Sequence, residues 1–378
     1  MKILIIVNEF PPEVIAGTAM STFYLSRHLA RIGHDVHVAV TARGRRSPRV
    51  ETLGAVAVHR LNPINLKGTR SLQRLVGLYR LARSIAPDII QGQALSCGAM
   101  AALIGCALRK TSITCIQGFD LYCASVLQKL IELRPALRWS SRVLAVTDEL
   151  KAGAAAMSGR RDIVVIPHGL ESAEDIDAEV DHLRQEIAGL PQRRVLLYVG
   201  QLNERKGLIE LLDAMQRVHA AAPDVALVLI GRGPLEGSLR RQARRVGLEG
   251  VVHFMGPRPH STVMAFMRLA DVFVLPSREE PFGIVLVEAM SQGLPIVATD
   301  AQHIPHLIRP GLNGFLSAPG DTDRLAADIL WMFANPGEAA AIGRRNREAA
   351  LRYDWKLLAA RYERIYAESR LQAHPEAT

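Results

Sequence analysis

Short, nearly all-apolar runs constrain this chain more than any other feature. Residues 3–7, 195–199, 225–230 and 296–299 offer no polar face to water. Strands of that kind sit inside a parallel sheet covered on both faces, and parallel neighbours need a crossover, usually a helix. The spacing predicts strands at 3–7, 36–41, 88–90, 113–116 and 142–146 and a strand with its turn over 163–169, with a helix after 16–18 running through Leu29, Ala30 and Gly33 and apolar helical periodicity over 72–85. At Val195 the pattern restarts, with strands at 195–199, 225–230, 251–254, 270–275 and 296–299 and a helix over 208–218. The fold class is therefore α/β, with two Rossmann-like domains: 1–170, a linker over 171–193, and 194–354, followed by a C-terminal helix at about 355–372.

A chain of 378 residues also exceeds what one compact core organises. The longest uncharged stretch, 89–108, contains Gln91, Gln93 and Ser96 and reads as a buried strand and helix, not a membrane span. The start, 1–7, reads as a first strand and not as a signal peptide, so a cytoplasmic protein is expected. Cys97, Cys106, Cys115 and Cys123 form no C-x2-C pair and have no histidine at ligand spacing. They read as reduced thiols, with zinc as the alternative, and no metal is implied. Net charge is +9, but residues 1–170 carry 22 Lys and Arg against 10 Asp and Glu, while 171–378 carry 24 against 27. Such a field draws anionic partners to the front half: acidic lipid head groups, lipid diphosphates or nucleic acid. No aromatic-and-basic recognition motif accompanies it, so no nucleic-acid partner is expected.

The stretch 275–299 contains a conflict that folding alone would not create. After Gly283 a helix apolar on nearly every face runs to the stop at Gly293 and Pro295, yet Glu288 lies inside it. A carboxylate is almost never buried without a hydrogen-bonding partner. Glu280, eight positions earlier, lies in the preceding turn. The first amides of the helix have no intrahelical partner and carry the positive end of its dipole, which suits phosphate. Two carboxylates flanking a phosphate seat are what a nucleotide sugar needs. Two solvated glutamates on an ordinary helix would satisfy the same spacing.

The whole stretch resembles the E-x7-E signature of retaining glycosyltransferases of the GT-B fold, family 4. The resemblance runs from Pro11 to Trp355. It implies two domains facing a central cleft, with the C-terminal helix crossing back to the first. It further implies that Glu280 holds sugar hydroxyls, Glu288 the ribose, and Phe282, Gly283 and Ile284 place amides on sugar and phosphate. Lys206, in Gln201–Gly207, falls on the lysine expected at the donor diphosphate, where positive charge stabilises the leaving group. Gln201 replaces the family's arginine, and Arg205 either substitutes for it or is solvated. Gly231, in Gly231-Arg232-Gly233-Pro234, and Arg258 are further donor-side positions. In the family's Pro-Pro-x-x-x-Gly-Gly, Gly17 matches the second glycine and Ala16 replaces the first. Gly17 is thus a cleft residue or a plain helix cap.

On the acceptor side, Gln117-Gly118-Phe119-Asp120 stands where the family has His-Gly-x-Asp, which makes Gln117, Gly118 and Asp120 candidate acceptor or sugar contacts. Gln117 forms hydrogen bonds but does not titrate near neutral pH, so a histidine base there is excluded. His303 and His306 replace family residues too, either as substrate contacts or as satisfied loop histidines. The implied function is retaining transfer of a sugar from a UDP- or GDP-sugar to a hydroxyl of a glycan, lipid-linked or small-molecule acceptor, in cell-envelope or polysaccharide synthesis, with no cofactor and no metal. A sugar-nucleotide epimerase of the same architecture and a non-catalytic nucleotide-sugar binder are the alternatives. Residues 72–85, ringed by Arg70, Arg74, Arg80 and Arg83, form either a peripheral docking face for an anionic membrane or a solvated helix face.

Overall fold

The computed structural model describes residues 1–13, 17–41, 50–61, 70–118, 121, 133–171, 176–188 and 194–373. The chain divides into two compact units, Met1–Gly169 with Tyr353–Thr378, and Leu170–Arg352. In the first, eight described strands form one sheet: β1 (Lys2–Val7), β2 (Asp35–Val40), β3 (Val50–Leu53), β4 (Val56–Arg60), β5 (Ile89–Gln93), β6 (Thr111–Ile116), β7 (Arg142–Ala145) and β8 (Val164–Val165). Their order is β3-β4-β2-β1-β5-β6-β7-β8. Every pair is parallel except β3 and β4. The order reverses at β1, where Ile5 pairs with Val38 on one side and Gln91 on the other.

The apolar strands form as predicted because helices cover both faces. One cluster joins Leu4, Ile6, Ala39 and Ile90 to Leu78, Ala82 and Ile85 of the helix Arg70–Ile85 and to Cys97, Ala101 and Ile104 of the helix Leu95–Leu108. The uncharged stretch 89–108 thus resolves into a strand and a helix. Among the described residues no helix is long and apolar enough to cross a membrane. The helix Trp355–Ala373 belongs to this unit, where the Tyr366 hydroxyl donates to Gln91 Oε1 at 2.6 Å. Cys97 and Cys115 are buried free thiols and Cys106 an exposed one, while Cys123 lies outside the described residues.

In the second unit, β9 (Arg194–Val199), β10 (Val225–Ile230), β11 (Val252–Gly256), β12 (Val272–Leu275), β13 (Ile296–Thr299) and β14 (Phe315–Ser317) form an all-parallel sheet. The order is β11-β10-β9-β12-β13-β14, so it reverses between β9 and β12.

Three elements differ from the sequence expectation. The hairpin β3–β4 carries too few apolar positions on its exposed edge strand to show the period-2 signal that marks a strand. The segment expected as a linker holds the helix Asp177–Ala188, whose acidic surface hides a buried Ile176, Val180 and Leu183 at i, i+4, i+7. It joins the second unit, where Arg268 Nη1 donates to Asp177 Oδ1 at 2.8 Å. The run Gly311-x-Asn313-Gly314-Phe315, whose residue types predict a hairpin-like turn, closes no hairpin, because β14 beyond it runs parallel to β13.

At the end of β4, the Arg60 side chain is almost fully buried. Its Nε donates to Glu51 Oε1 at 2.7 Å, Nη1 to Glu13 Oε2 at 2.9 Å, and Nη2 to the Pro11 carbonyl at 2.5 Å. One cation thereby ties the loop after β1 to the hairpin. Arg60→Met removes the buried cation that bonds both carboxylates and the Pro11 carbonyl and is expected to destabilise the protein by about 3 kcal/mol, measured by urea unfolding. An unchanged midpoint would mean that water already solvates Glu13 and Glu51.

Candidate functional site

In an open parallel sheet, ligands bind beyond the carboxyl ends of the strands where the strand order reverses. In the second unit that place is defined by the loops following β9 and β12. The loop after β9 is fastened to its neighbours through backbone: Gly200 N donates to Ile230 O, and Leu202 N to Arg232 O, both at 3.0 Å, while Arg205 O accepts from Arg278 N at 2.7 Å. Gly231 makes the first of these approaches possible. Its φ is +142°, and a Cβ there would lie 1.8 Å from Gly200 O.

Beneath this loop Tyr198 is fully buried in β9, and its hydroxyl donates to Gln201 O at 2.9 Å. Burial, reinforced by the charge of Glu280, holds the phenol well above its usual range, so it stays a protonated donor. From the loop above, Lys206 Nζ donates to Glu280 Oε2 at 2.6 Å. The two side chains are 19% and 11% exposed, so the pair is largely desolvated. Arg205 and Gln201 are exposed on the same loop, where Gln201 Oε1 accepts from Asn203 Nδ2 at 3.0 Å. Arg278 and Glu210 form a further ion pair that anchors the turn after β12.

Gly283, at φ +88°, turns this loop into the helix Ile284–Ser291. Leu286, Val287, Ala289 and Met290 are buried, which explains the sequence's all-round apolar character. The amides of Ile284 and Val285 lie in the first turn, ahead of any intrahelical acceptor. Glu288 is 16% exposed, and its Oε1 lies 3.1 Å from His260 Nε2, at the start of the helix His260–Leu269. Sequence reasoning missed His260; nothing in the spacing signals a contact made across 28 positions. The rings of Phe282, His303 and His306 stack in a row, with centroids 5.4 and 5.1 Å apart. His303 N also donates to Glu280 O at 3.4 Å.

The second unit therefore brings together Lys206, Glu280, Phe282, Gly283 and Ile284, with Glu288 one helical turn on and Gly231 supporting the loop. Arg258 stands exposed on the turn after β11. In the first unit Gly17 opens the helix Gly17–Arg31. Gln117 follows β6, and its Nε2 donates to Gln93 Oε1 and, at 3.2 Å, to Cys115 Sγ. Gly118 adjoins it, and Asp120, like Ala16, lies outside the described residues. Chemically, the arrangement in the second unit is an anion seat with a cation and two carboxylates beside it.

A family model described as Glycosyl transferases group 1 matches residues 180–349, and one described as Glycosyltransferase Family 4 matches residues 15–174. Together they span most of the chain, which belongs to these glycosyltransferases and has their GT-B fold. Among its relatives is the phosphatidyl-myo-inositol mannosyltransferase of Mycolicibacterium smegmatis, 36% identical over 208 residues. That match covers 54% of this chain and 52% of the relative, so the chain spans about half that protein's length. Glycogen synthase of Mycobacterium tuberculosis is 26% identical over 423 residues, covering 100% of this chain and 97% of that one. The crystal structure of Anabaena HepE in complex with UDP-glucose superimposes with a TM-score of 0.79 at 22% identity, covering 97% of this chain and all of the other.

Because the Gly200–Gly231 approach fastens the loop carrying Lys206, Gly231→Ala must part the loops after β9 and β10. It is expected to cost about 2 kcal/mol or more, read as a lower melting temperature. A variant as stable as the wild type would show that the loops move apart freely.

Proposed function

We propose that this chain is a retaining glycosyltransferase that moves a sugar from a UDP- or GDP-sugar to a hydroxyl of a glycan, lipid-linked or small-molecule acceptor. The observation that carries the reading is the Lys206–Glu280 pair beside the Gly283 helix start, at the strand-order reversal of the second unit. In this reading the Ile284 amide and the Lys206 ammonium receive the donor diphosphate, where negative charge grows as the glycosidic bond breaks. Arg205 adds a second cation at the loop's exposed end. Glu280 orients the sugar through its hydroxyls, and Glu288 holds the ribose. Gln201, Gly231, Arg258, Phe282 and Gly283 are the further donor-side residues of the second unit, Gly17 is the first unit's donor-binding candidate, and Gln117, Gly118 and Asp120 are its candidate acceptor or sugar contacts.

The bond from the anomeric carbon to the phosphate oxygen breaks, and the acceptor oxygen bonds to that carbon on the same face. The leaving phosphate takes the acceptor proton, so no histidine base is required where Gln117 stands. Lys206 and the helix start supply positive charge at the diphosphate, and transfer is proposed to need no metal. The HepE complex with UDP-glucose supports a nucleotide-sugar donor for this fold. The name of the mannosyltransferase relative supports a lipid-linked acceptor.

The first unit also carries features suited to an anionic surface. On the helix Arg70–Ile85, Leu78 and Ala82 pack inward while Leu72 and Val76 are 63% and 40% exposed. They share an outward stripe with the exposed Arg80 and Arg83. We propose that this stripe docks on acidic membrane lipids, apolar groups entering the interface and guanidinium groups meeting head groups.

A thermal-shift comparison with UDP-, GDP- and ADP-sugars tests the donor assignment. Ligand at a hundred times its dissociation constant is expected to add about 2.7 kcal/mol, or about 5 to 10 °C. The shift should appear with one base and vanish in both Lys206→Ala and Glu288→Ala; its persistence in both would reject the site. The anomeric configuration of the product, read by NMR, tests retention, and an unchanged rate in EDTA tests metal independence. For the membrane stripe, the protein is expected to sediment with anionic vesicles at low salt, and Arg80→Glu with Arg83→Glu should abolish this. Equal sedimentation of the double variant would refute the docking face.

A further inference from the structure

Glu288 sits at the one charged position of a helix whose neighbouring side chains, Leu286, Val287, Ala289 and Met290, are all buried. Its carboxylate has two oxygens with different surroundings. Oε1 lies 3.1 Å from His260 Nε2, while Oε2 has no hydrogen-bond partner among the described residues. His260 in turn is anchored: the helix it begins buries Val263, Met264, Ala265, Phe266 and Met267, so its ring is presented from a fixed base. Neither the neutral Nε2–H tautomer nor the imidazolium lacks the proton this contact needs.

We propose that His260 is a positioning residue of the nucleotide-ribose subsite. By donating to Oε1 it holds the Glu288 carboxylate in one rotamer and leaves Oε2 to accept from the ribose hydroxyls. A glutamate side chain otherwise distributes over several rotamers, and fixing it before the ligand arrives removes that cost from binding. The inference rests on the donor reading above, in which Glu288 is the ribose ligand. It adds a residue outside the E-x7-E stretch whose effect should be confined to ribose recognition.

Calorimetric titration of the full chain with UDP, GDP and ADP, and with their 2′,3′-dideoxy forms, separates the possibilities. Wild type, His260→Ala, His260→Gln and Glu288→Ala are compared, each checked for an unchanged circular dichroism spectrum. His260→Ala is expected to weaken the preferred ribonucleotide about tenfold while leaving its dideoxy form unchanged. His260→Gln, whose amide still donates, should recover most of the loss. In turnover, the donor KM should rise in His260→Ala with kcat unchanged. Equal losses for the ribo and dideoxy forms would reduce His260 to a structural residue and overturn the proposal. So would wild-type affinity in His260→Ala alongside weakened binding in Glu288→Ala, an outcome that leaves the donor reading standing. If Glu288→Ala also binds like the wild type, the donor reading itself fails. Should His260→Ala not fold, His260→Gln and a His260→Leu variant decide it, the first retaining and the second losing the ribo-over-dideoxy preference.

Discussion

Burial of the strands on both faces is the constraint on which the rest of the molecule depends. A strand such as Val225–Ile230, with every side chain buried, has no position along its length where a charge can stand. Polar chemistry is thereby driven to the strand ends, and strand order decides which end-loops become neighbours. The reversal between β9 and β12 sets the Lys206 loop beside the Glu280 turn, although 74 positions separate the two residues. The backbone bond from Arg278 to the Arg205 carbonyl locks those loops together independently of either side chain.

That rigidity shapes the electrostatics. An ammonium and a carboxylate at 2.6 Å, each mostly withdrawn from water, gain from their attraction only because both are already held in place. In the proposed donor site each partner of the pair is thereby pre-oriented for a polyhydroxylated, doubly charged ligand, and the amides at the Gly283 helix start are fixed by the buried helix behind them. The same logic governs Glu288, which reaches its partner His260 from a buried helix instead of a flexible loop. The site is a set of polar groups whose supports are apolar.

How much of this could be read from residues alone follows from the range of each interaction. The apolar strands, the Gly231 turn and the all-round apolar helix with its misplaced glutamate are local patterns, and they were legible. The GT-B architecture followed from them together with the E-x7-E resemblance. The hairpin Val50–Arg60 was not, because an edge strand with one exposed face and a charged partner carries little periodicity. Nor was the helix Asp177–Ala188, where Asp177, Glu179 and Asp181 mask the three-residue apolar seam. The Glu288–His260 and Lys206–Glu280 pairs are tertiary facts. A sequence states which residues are able to pair, while the fold states which ones meet.

The helix Trp355–Ala373 has a consequence for the order in which the protein comes into being. It belongs to the first unit, yet the whole of the second unit precedes it in the chain. Gln91, buried in mid-sheet, and Cys115 must wait for Tyr366 and Tyr362, which leave the ribosome 275 and 247 residues later. During synthesis the unit that starts first therefore finishes last. Until then its sheet holds an uncovered buried amide, and the second unit, contiguous in sequence, can complete itself while the first is still open.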